Sequence, residues 1–303
     1  MWHAAVCRGF DGCATVAAVS AAEPSSIDAK DVQRRLDELL WYHTIDVVPG
    51  AVTKGWFDLR HALETIPFPD VRGRRCLDVG TWDGFYAYEL EKRGAAQVVA
   101  VDLPDMSEID WPPEVRADPS FDPTLSLEQP RPAGFHLINE IRGSSVEWRG
   151  MSIYDLDPEV IGTFDLVVVG SLLVHLRDPV RALDAVRRVV APGGRLLLID
   201  YIHPPVNVLG RGRPLFELRG EGSDFQWWLA SDRGLQQMLK VAGFDIDELS
   251  DHFLLRPGDH YSVREFRPHT RRDYVGRALN WRWTRDATFG GHLHRAYLTH
   301  PRF

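Results

Sequence analysis

Apolar and polar positions follow two alternating patterns from Arg75 onward. Short runs rich in Val, Leu and Ile are separated by stretches in which apolar residues recur at helical spacing. The runs predict strands at Arg75–Val79, Gln97–Asp102, Val146–Tyr154, Phe164–Gly170 and Arg195–Ile202. The stretches between them predict helices at Phe85–Arg93, Phe135–Arg142 and Pro179–Val190. Because parallel strands need crossover helices, this alternation predicts a parallel sheet with helices on both faces.

The remaining chain adds two strands and one helix to this pattern. A helix is predicted at Asp232–Val241, a strand at Asp245–Leu249, and a last strand at "HRAYLTH", residues 294–300. The predicted fold class is therefore α/β, with a Rossmann-like, mostly parallel sheet of seven strands. We expect one domain over residues 71–303, interrupted by irregular, proline-rich insertions at 103–134 and 203–230.

Two segments precede this domain. Residues 1–25 carry an Ala/Val stretch that loosely resembles a signal peptide, but Asp11 and the glycines favour a disordered tail. Residues 26–70 combine a helix, for which Ser26 is the predicted cap, with an aromatic stretch interrupted by Pro49-Gly50 and Gly55. These breaks favour a mobile cover over a continuous helix.

Composition excludes some classes of protein and disfavours others. The 303 residues have a formal net charge of −8, which disfavours, without excluding, a nucleic-acid partner. Three cysteines give no disulfide framework, and no apolar run is long enough to cross a bilayer. Histidines 292 and 294 alternate as on a strand, but without cysteines or paired carboxylates nearby they predict no metal site.

The residues that suggest a ligand-binding site lie in "CLDVGTWDGFYAYEL". This stretch predicts a strand, a loop and a helix in succession. A dinucleotide fingerprint needs three glycines, and here Trp82 stands where a pyrophosphate would approach the backbone. Three acids, Asp78, Asp83 and Asp102, surround the loop and oppose an anionic ligand. Asp102 ends the next strand, at the offset at which an acid binds a ribose diol.

S-adenosylmethionine satisfies these requirements, since it has a cationic methionine end and a ribose. Asp78 would favour the positive end, Gly80 would let the ligand lie against the backbone, and Asp102 would accept hydrogen bonds from both ribose hydroxyls. The alternative is another doubly wound domain, such as a dehydrogenase.

The successive motifs resemble those of class I S-adenosylmethionine-dependent methyltransferases. They are "CLDVGTWDGFYAYEL", "VVAVDL", "FDLVVVGSLLVHLRDPVRALDAVRRVVAPGGRLLL" and "LQQMLKVAGF", and they cover roughly residues 73–249. The resemblance implies a methyltransferase with S-adenosylmethionine as cofactor. It extends the predicted cofactor site to Thr81, Trp82, Gly84, Leu103, Ser152, Ile153, Gly170 and Ser171.

Within that class, the flanks look like the tRNA wobble-uridine carboxymethyltransferase branch. The matching stretches are "IDVVPGAVTKGWFDLR", "GSLLVHLRDP" and "HRAYL". The branch recognises a carboxylated S-adenosylmethionine, and Arg295 aligns with one of its basic residues. Val174, however, stands where the branch has a tyrosine, which disfavours carboxymethyl transfer here.

Several residues have both a functional and a structural interpretation. Trp41, His43, Lys54, Trp56 and Arg60 either cover the cofactor and line the substrate pocket or only pack on the sheet edge. His175 follows the fourth strand and is either the general base or a helix-capping histidine. Trp227 and Trp228 are expected to be packing aromatics, and the arginines at 271, 272, 282 and 285 a solvated face.

The predicted function is methyl transfer from S-adenosylmethionine to a small-molecule acceptor in the cytoplasm, by in-line attack on the methyl carbon. Two alternatives stay open: transfer of a methyl or carboxymethyl group to tRNA wobble uridine, and a non-catalytic subunit that binds the S-adenosyl ligand. The oligomeric state and the acceptor are not predicted.

Overall fold

The computed structural model describes residues 28–121, 131–220, 226–260 and 292–303. The predicted tail, Ser26 and the four arginines at 271–285 lie outside these ranges. The strands are β1 (Trp41–His43), β2 (Asp46–Val48), β3 (Ala51–Val52), β4 (Gly55–Asp58), β5 (Arg75–Val79), β6 (Gln97–Asp102), β7 (Glu147–Gly150), β8 (Phe164–Gly170), β9 (Val190–Tyr201), β10 (Phe216–Leu218), β11 (Trp228–Ala230), β12 (Phe244–Leu249), β13 (Phe253–Pro257) and β14 (His292–Pro301).

Eight α-helices accompany these strands in the described part of the chain. They are α1 (Ala29–Leu36), α2 (Phe85–Lys92), α3 (Pro113–Ala117), α4 (Ala133–Arg142), α5 (Pro158–Ile161), α6 (Pro179–Val189), α7 (Pro204–Gly210) and α8 (Asp232–Val241). The predicted helices at 85–93, 135–142, 179–190 and 232–241 are confirmed to within two residues. Helix α1 is capped by Asp28, whose side chain accepts a hydrogen bond from the Lys30 amide.

The central sheet has ten strands among the described residues. Its order is β1–β4–β13–β14–β9–β8–β5–β6–β7, and β12 also pairs with β14. Strands β7, β6, β5, β8 and β9 are parallel, while β14 runs antiparallel to β9 and β12 antiparallel to β14. These seven strands are the predicted Rossmann-like sheet, and the α/β fold class is confirmed.

The expected strand count of seven was too low because β14 is long enough to pair with two strands on one edge. Its first residues pair with β13, and its later residues pair with β12. Strand β13 in turn pairs with β4, and β4 with β1. The added strands, β1, β4 and β13, are three to five residues long, too short for an alternating pattern to reveal them. The predicted strand at 146–154 also ends early, at Gly150.

Alternate residues of the parallel strands pack into two separate cores. Cys76 belongs to the core beneath α1, α2 and α4, whereas its neighbour Leu77 belongs to the core beneath α6 and α8. This is the arrangement expected of strands covered on both faces. Cys76 is buried and unpaired, as its place in β5 predicts.

The aromatic N-terminal stretch contributes β1 and β4 to the central sheet, while β2 and β3 pair with each other in a separate hairpin. Gly50 forms the turn of the β2–β3 hairpin at φ +89°, and Gly55 begins β4 opposite Trp41. A Cβ at Gly55 would lie 2.2 Å from the carbonyl carbon of His43. Glycine at this position therefore permits the close approach of β1 and β4.

The chain order reverses between β5 and β8. From β5 the chain continues to β6 on one side, while β8 and β9 lie on the other. In open α/β sheets, ligands bind outside the carboxyl ends of the strands at such a switch point. The loops after β5, β6, β7 and β8 are therefore where a functional site is expected.

Candidate active site

A cleft of about 960 Å³ opens at this switch point. It is lined by the residues that follow four parallel strands: Gly80 after β5, Leu103 after β6, Ser152 after β7 and Ser171 after β8. Of the eleven predicted cofactor residues, eight line the cleft: Gly80, Trp82, Asp102, Leu103, Ser152, Ile153, Gly170 and Ser171.

The loop after β5 brings its backbone close to the cleft. Gly80 has φ +74°, and its amide donates to the Val101 carbonyl at 2.9 Å. A Cβ at this position would lie 2.9 Å from the Leu172 side chain. Trp82 also has a positive φ, +49°, which is strained for a residue other than glycine. Glycine at position 80 therefore leaves room for the Leu172 side chain, which packs against the backbone of the loop.

The Asp102 carboxylate accepts three hydrogen bonds from residues of the cleft wall. Its Oδ2 accepts a hydrogen bond from the Trp82 amide at 2.7 Å, and its Oδ1 accepts one from the Leu103 amide and one from Arg131, both at 2.7 Å. The Arg131 guanidinium also lies 3.8 Å from the centre of the Trp82 ring. Because each carboxylate oxygen can accept two hydrogen bonds, Oδ2 retains a lone pair, whereas Oδ1 is filled while Arg131 stays in place.

Two other acids of the motif are buried under the loop instead of lining the cleft. Asp78 accepts hydrogen bonds from the Thr81 hydroxyl at 2.6 Å and the Ala87 amide at 3.1 Å. Asp83 accepts from the amides of Tyr42 and His43, at 2.6 and 2.8 Å. Asp83 therefore joins strand β1 to the loop. Burial raises the pKa of both carboxyls to about 7.

The raised pKa of Asp83 predicts a pH-dependent stability. An unfolded chain releases this proton at a much lower pH than the folded protein, so the contribution of Asp83 to stability is largest at low pH and is lost as the pH rises toward 7. Asp83→Asn keeps one oxygen for the two amides and removes the ionisable group. Between pH 5 and pH 8, we expect the free energy of unfolding to fall in the wild type by at least about 1 kcal/mol more than in Asp83→Asn. Denaturant titrations at both pH values measure this difference, and equal losses would contradict it.

A second cavity of about 1590 Å³ adjoins the cleft. Tyr42, Ser171 and His175 line both spaces, so the two meet at these residues. Tyrosine, tryptophan, phenylalanine and histidine side chains make up most of the described lining of this second cavity. Its described lining contains no carboxylate and one arginine, Arg219.

The predicted substrate residues are divided between this cavity and the surrounding structure. Trp56 lines the second cavity, His175 lines both spaces, and His43 lines the first cleft. Trp41 is buried and donates from Nε1 to the Leu36 carbonyl. Lys54 pairs with Asp37, Arg60 with Asp46 and Asp58, and Arg295 with Asp232. Trp41, Lys54, Arg60 and Arg295, like Asp78, Thr81 and Gly84, are absent from the described lining of either space.

The structure adds site residues from the stretch that the sequence predicted as a surface insertion. Arg131 lies in the cleft with a side chain that is 10% exposed. Asp110 lines the cleft and accepts a 2.6 Å hydrogen bond from the Tyr154 hydroxyl. A small core of Met106, Ile109, Trp111 and Val115 supports this wall. The spacing of these four apolar residues could have revealed this small core from the sequence, but the prolines between them obscured the pattern.

Comparison with known proteins decides the family. A family model described as "Methyltransferase domain" matches residues 52–249, which include β4 to β12 and nearly all of the described cleft lining. The chain belongs to this methyltransferase family. The methyltransferase motifs predicted from the sequence are thereby confirmed at the level of the family.

Curated relatives of this methyltransferase include enzymes named ubiquinone biosynthesis O-methyltransferase. The one from Xanthomonas oryzae pv. oryzae is 30% identical over 137 residues, 45% of this chain and 46% of the relative. The one from Pseudomonas syringae pv. tomato is 26% identical over 199 residues, 61% of this chain and 74% of the relative. The chain thus spans about half the length of the first of these relatives.

Among solved structures, the methyltransferase is similar to 1,6-didemethyltoxoflavin-N1-methyltransferase from Burkholderia thailandensis. The two are 14% identical, with a TM-score of 0.44 over 77% of this chain and 72% of the other. A Mesorhizobium loti S-adenosylmethionine-dependent methyltransferase is 15% identical, with a TM-score of 0.43 over 76% and 93% of the two chains.

The cleft of this methyltransferase fits S-adenosylmethionine. Asp102 keeps a free lone pair for a ribose hydroxyl. Glu108 and Asp110 add acidic groups to the lining, which suits a cationic ligand.

The described residues contain neither a metal-binding cluster nor a membrane-spanning helix. No group of three or more His, Cys, Asp or Glu side chains is arranged to hold a metal ion there. None of the helices in the same ranges has the length and apolar character needed to cross a membrane.

Proposed function

We propose that this methyltransferase transfers the methyl group of S-adenosylmethionine to a small, flat acceptor molecule bound in the second cavity. The observation that carries the proposal is the junction at Tyr42, Ser171 and His175, where the cofactor cleft meets a separate cavity. An acceptor in that cavity reaches the methyl group without entering the cofactor's own space. The aromatic and histidine-rich lining suits a planar ring.

In this proposal, the residues of the chain align the methyl donor with the acceptor and exclude water from the site. S-adenosylmethionine, when bound, supplies an activated methyl group on a sulfonium that is already a good leaving group. Asp102 would hold the ribose and the Gly80 loop the methionine portion. Tyr42 and Trp56, whose rings lie 6.0 Å apart, would exclude water above the junction.

The names of the curated relatives support an oxygen atom as the methyl acceptor, since they are called O-methyltransferases. A cytoplasmic location is part of the proposal, because S-adenosylmethionine is made inside cells.

The tRNA alternative has less support. It would use Arg295 to recognise a carboxylated donor, yet the Arg295 side chain donates to the Ser250 carbonyl and to Asp232. The net charge of −8 also disfavours a polyanionic acceptor.

A binding measurement followed by an acceptor screen tests the proposal. By calorimetry, S-adenosylhomocysteine should bind, whereas NAD and ATP should not displace it, because Trp82 and the neighbouring acids oppose a pyrophosphate. The purified protein is then given S-adenosylmethionine with a labelled methyl group and a panel of phenols, amines, thiols and unmodified tRNA. Label in a small molecule supports the proposal, and label in tRNA alone contradicts it. Binding without transfer to any acceptor would favour the non-catalytic subunit.

A further inference from the structure

Ser171 occupies a strained position at the junction of the two cavities. It follows the end of β8 and has φ +50°, a left-handed conformation that residues other than glycine rarely adopt. It lines both the cofactor cleft and the second cavity. Strain of this kind persists only where the surrounding structure enforces it, and it is concentrated at functional sites.

The hydroxyl of Ser171 is paired with a buried histidine on β14. Ser171 Oγ lies 3.0 Å from His294 Nε2, and His294 Nδ1 lies 2.9 Å from the His292 carbonyl oxygen. A carbonyl can only accept, so Nδ1 carries the ring proton and Nε2 of the neutral ring presents a lone pair. The Ser171 hydroxyl therefore donates to His294, and its oxygen retains lone pairs that can accept.

The described lining of the second cavity gives this oxygen a particular importance. No carboxylate is present there, so histidines are the described side chains that can receive the proton of an acceptor, and His294 is the one that is hydrogen-bonded to Ser171. Ser171 also lies at the junction itself, where the nucleophilic atom of the acceptor must approach the methyl group.

We propose that Ser171 and His294 form a proton-accepting pair for a hydroxyl nucleophile of the acceptor. This inference rests on the proposed function and adds to it the residues that receive the proton.

The step balances in atoms and charge. The acceptor oxygen forms a bond to the methyl carbon with its own electron pair, and the bond from sulfur to that carbon breaks with its pair left on sulfur. The proton of the acceptor hydroxyl passes to Ser171 Oγ as the Ser171 proton passes to His294 Nε2. One positive charge disappears from sulfur and one appears on the imidazole, which later returns its proton to water.

The weak basicity of His294 favours oxygen over nitrogen as the nucleophile. Its side chain is 1% exposed, and burial lowers its pKa to about 3, so the ring is neutral, keeps the lone pair on Nε2 and takes a proton only from a strong acid. A methylated oxygen that still holds its proton is a very strong acid and gives that proton to such a base. A methylated ammonium is a weak acid and does not.

Nuclear magnetic resonance tests the pair without the reaction. In protein labelled with ¹⁵N-histidine and saturated with S-adenosylhomocysteine, His294 should show the neutral Nδ1–H form. Ser171→Gly removes the hydroxyl and suits the left-handed backbone, and it should shift the Nε2 resonance. His252→Gln, at an exposed histidine, is the control. A charged ring, the Nε2–H form, or an Nε2 resonance that is unchanged in Ser171→Gly would overturn the pair.

Turnover tests the role of the pair. His294→Gln keeps an acceptor for the Ser171 hydroxyl but cannot take its proton. With the phenol that gives most product in the screen, Ser171→Gly and His294→Gln should each lower kcat at least about 10-fold, with KM changed less than about 3-fold. Because the two residues act as one unit, the double variant should be no slower than the slower single variant.

The outcomes separate this inference from the proposed function. Failure to bind S-adenosylhomocysteine, or to methylate any small molecule, refutes the proposed function. Methylation of amines but not phenols, or normal kcat in both variants, refutes the pair and leaves methyl transfer intact. A loss of kcat in His175→Gln alone would return the role of base to His175.

Discussion

Replacement of Asp102 by alanine is expected to weaken binding of S-adenosylhomocysteine at least about 100-fold, with little change in the fold. The carboxylate lies at the end of β6 and is the acidic group best placed for a ribose hydroxyl, since Oδ2 keeps a free lone pair. Its loss leaves the ribose without this acceptor. It also leaves Arg131 without its ion-pair partner, and the resulting positive charge would repel the sulfonium of the methyl donor.

Calorimetry with S-adenosylhomocysteine measures the effect, and circular dichroism checks the fold. Asp184→Ala, which removes an exposed carboxylate from α6, is the matched control and should bind normally. Asp102→Asn should fall between the wild type and Asp102→Ala, because an amide keeps one accepting oxygen. Unchanged affinity in Asp102→Ala would show that the cleft holds a different ligand.

Trp56→Ala is expected to lower kcat/KM at least about 10-fold while reducing the melting temperature by only a few degrees. Trp56 lies on β4, lines the second cavity and is half-buried, with its ring near those of Tyr42 and His260. Removing the indole opens the cavity to water at the side facing the junction, which weakens both the positioning of the acceptor and the exclusion of solvent.

Methyl transfer to the acceptor identified in the screen, together with thermal melting, measures both quantities. Trp228→Ala is the matched control, since Trp228 is a half-buried tryptophan outside the described lining of both cavities. Bound S-adenosylhomocysteine should also protect residues 41–63 from proteolysis if the segment covers the site. A Trp56→Ala protein that melts much earlier but turns over normally when folded would assign the tryptophan to packing alone.

The central part of the sheet was predictable because its strands are buried on both faces. A run such as Phe164–Gly170 must then be apolar at nearly every position, and its boundaries can be read from the sequence. Strands β1, β4 and β13 could not be found in this way. Each has at most five residues, and their pairing depends on β14, which is remote in the chain.

The gathering of most predicted site residues in one cleft was predictable for a related reason. The carboxyl ends of neighbouring parallel strands meet at one edge, so the order of the predicted strands was enough to bring together the residues that follow them. The sequence could not show that Asp83 binds the backbone of β1, since motif spacing is the same for a ligand-binding acid and a buried one. Nor could it place Ser171 beside His294, because that contact depends on the antiparallel pairing of β14 with β9.

The position of β14 has a consequence for folding. It is the last strand of the sheet along the chain, yet it lies between β9 and β13, and β4 joins the sheet through β13, with Asp58 opposite Arg256. Closing such long loops costs entropy before any contact repays it, so pairings of this kind form slowly. The parallel strands that carry the cleft, β5 to β9, all precede β14 in the chain and pair with one another without it. The nascent chain can therefore pair the strands of the cleft before β14 has been synthesised, whereas the second cavity is complete only when β14 docks.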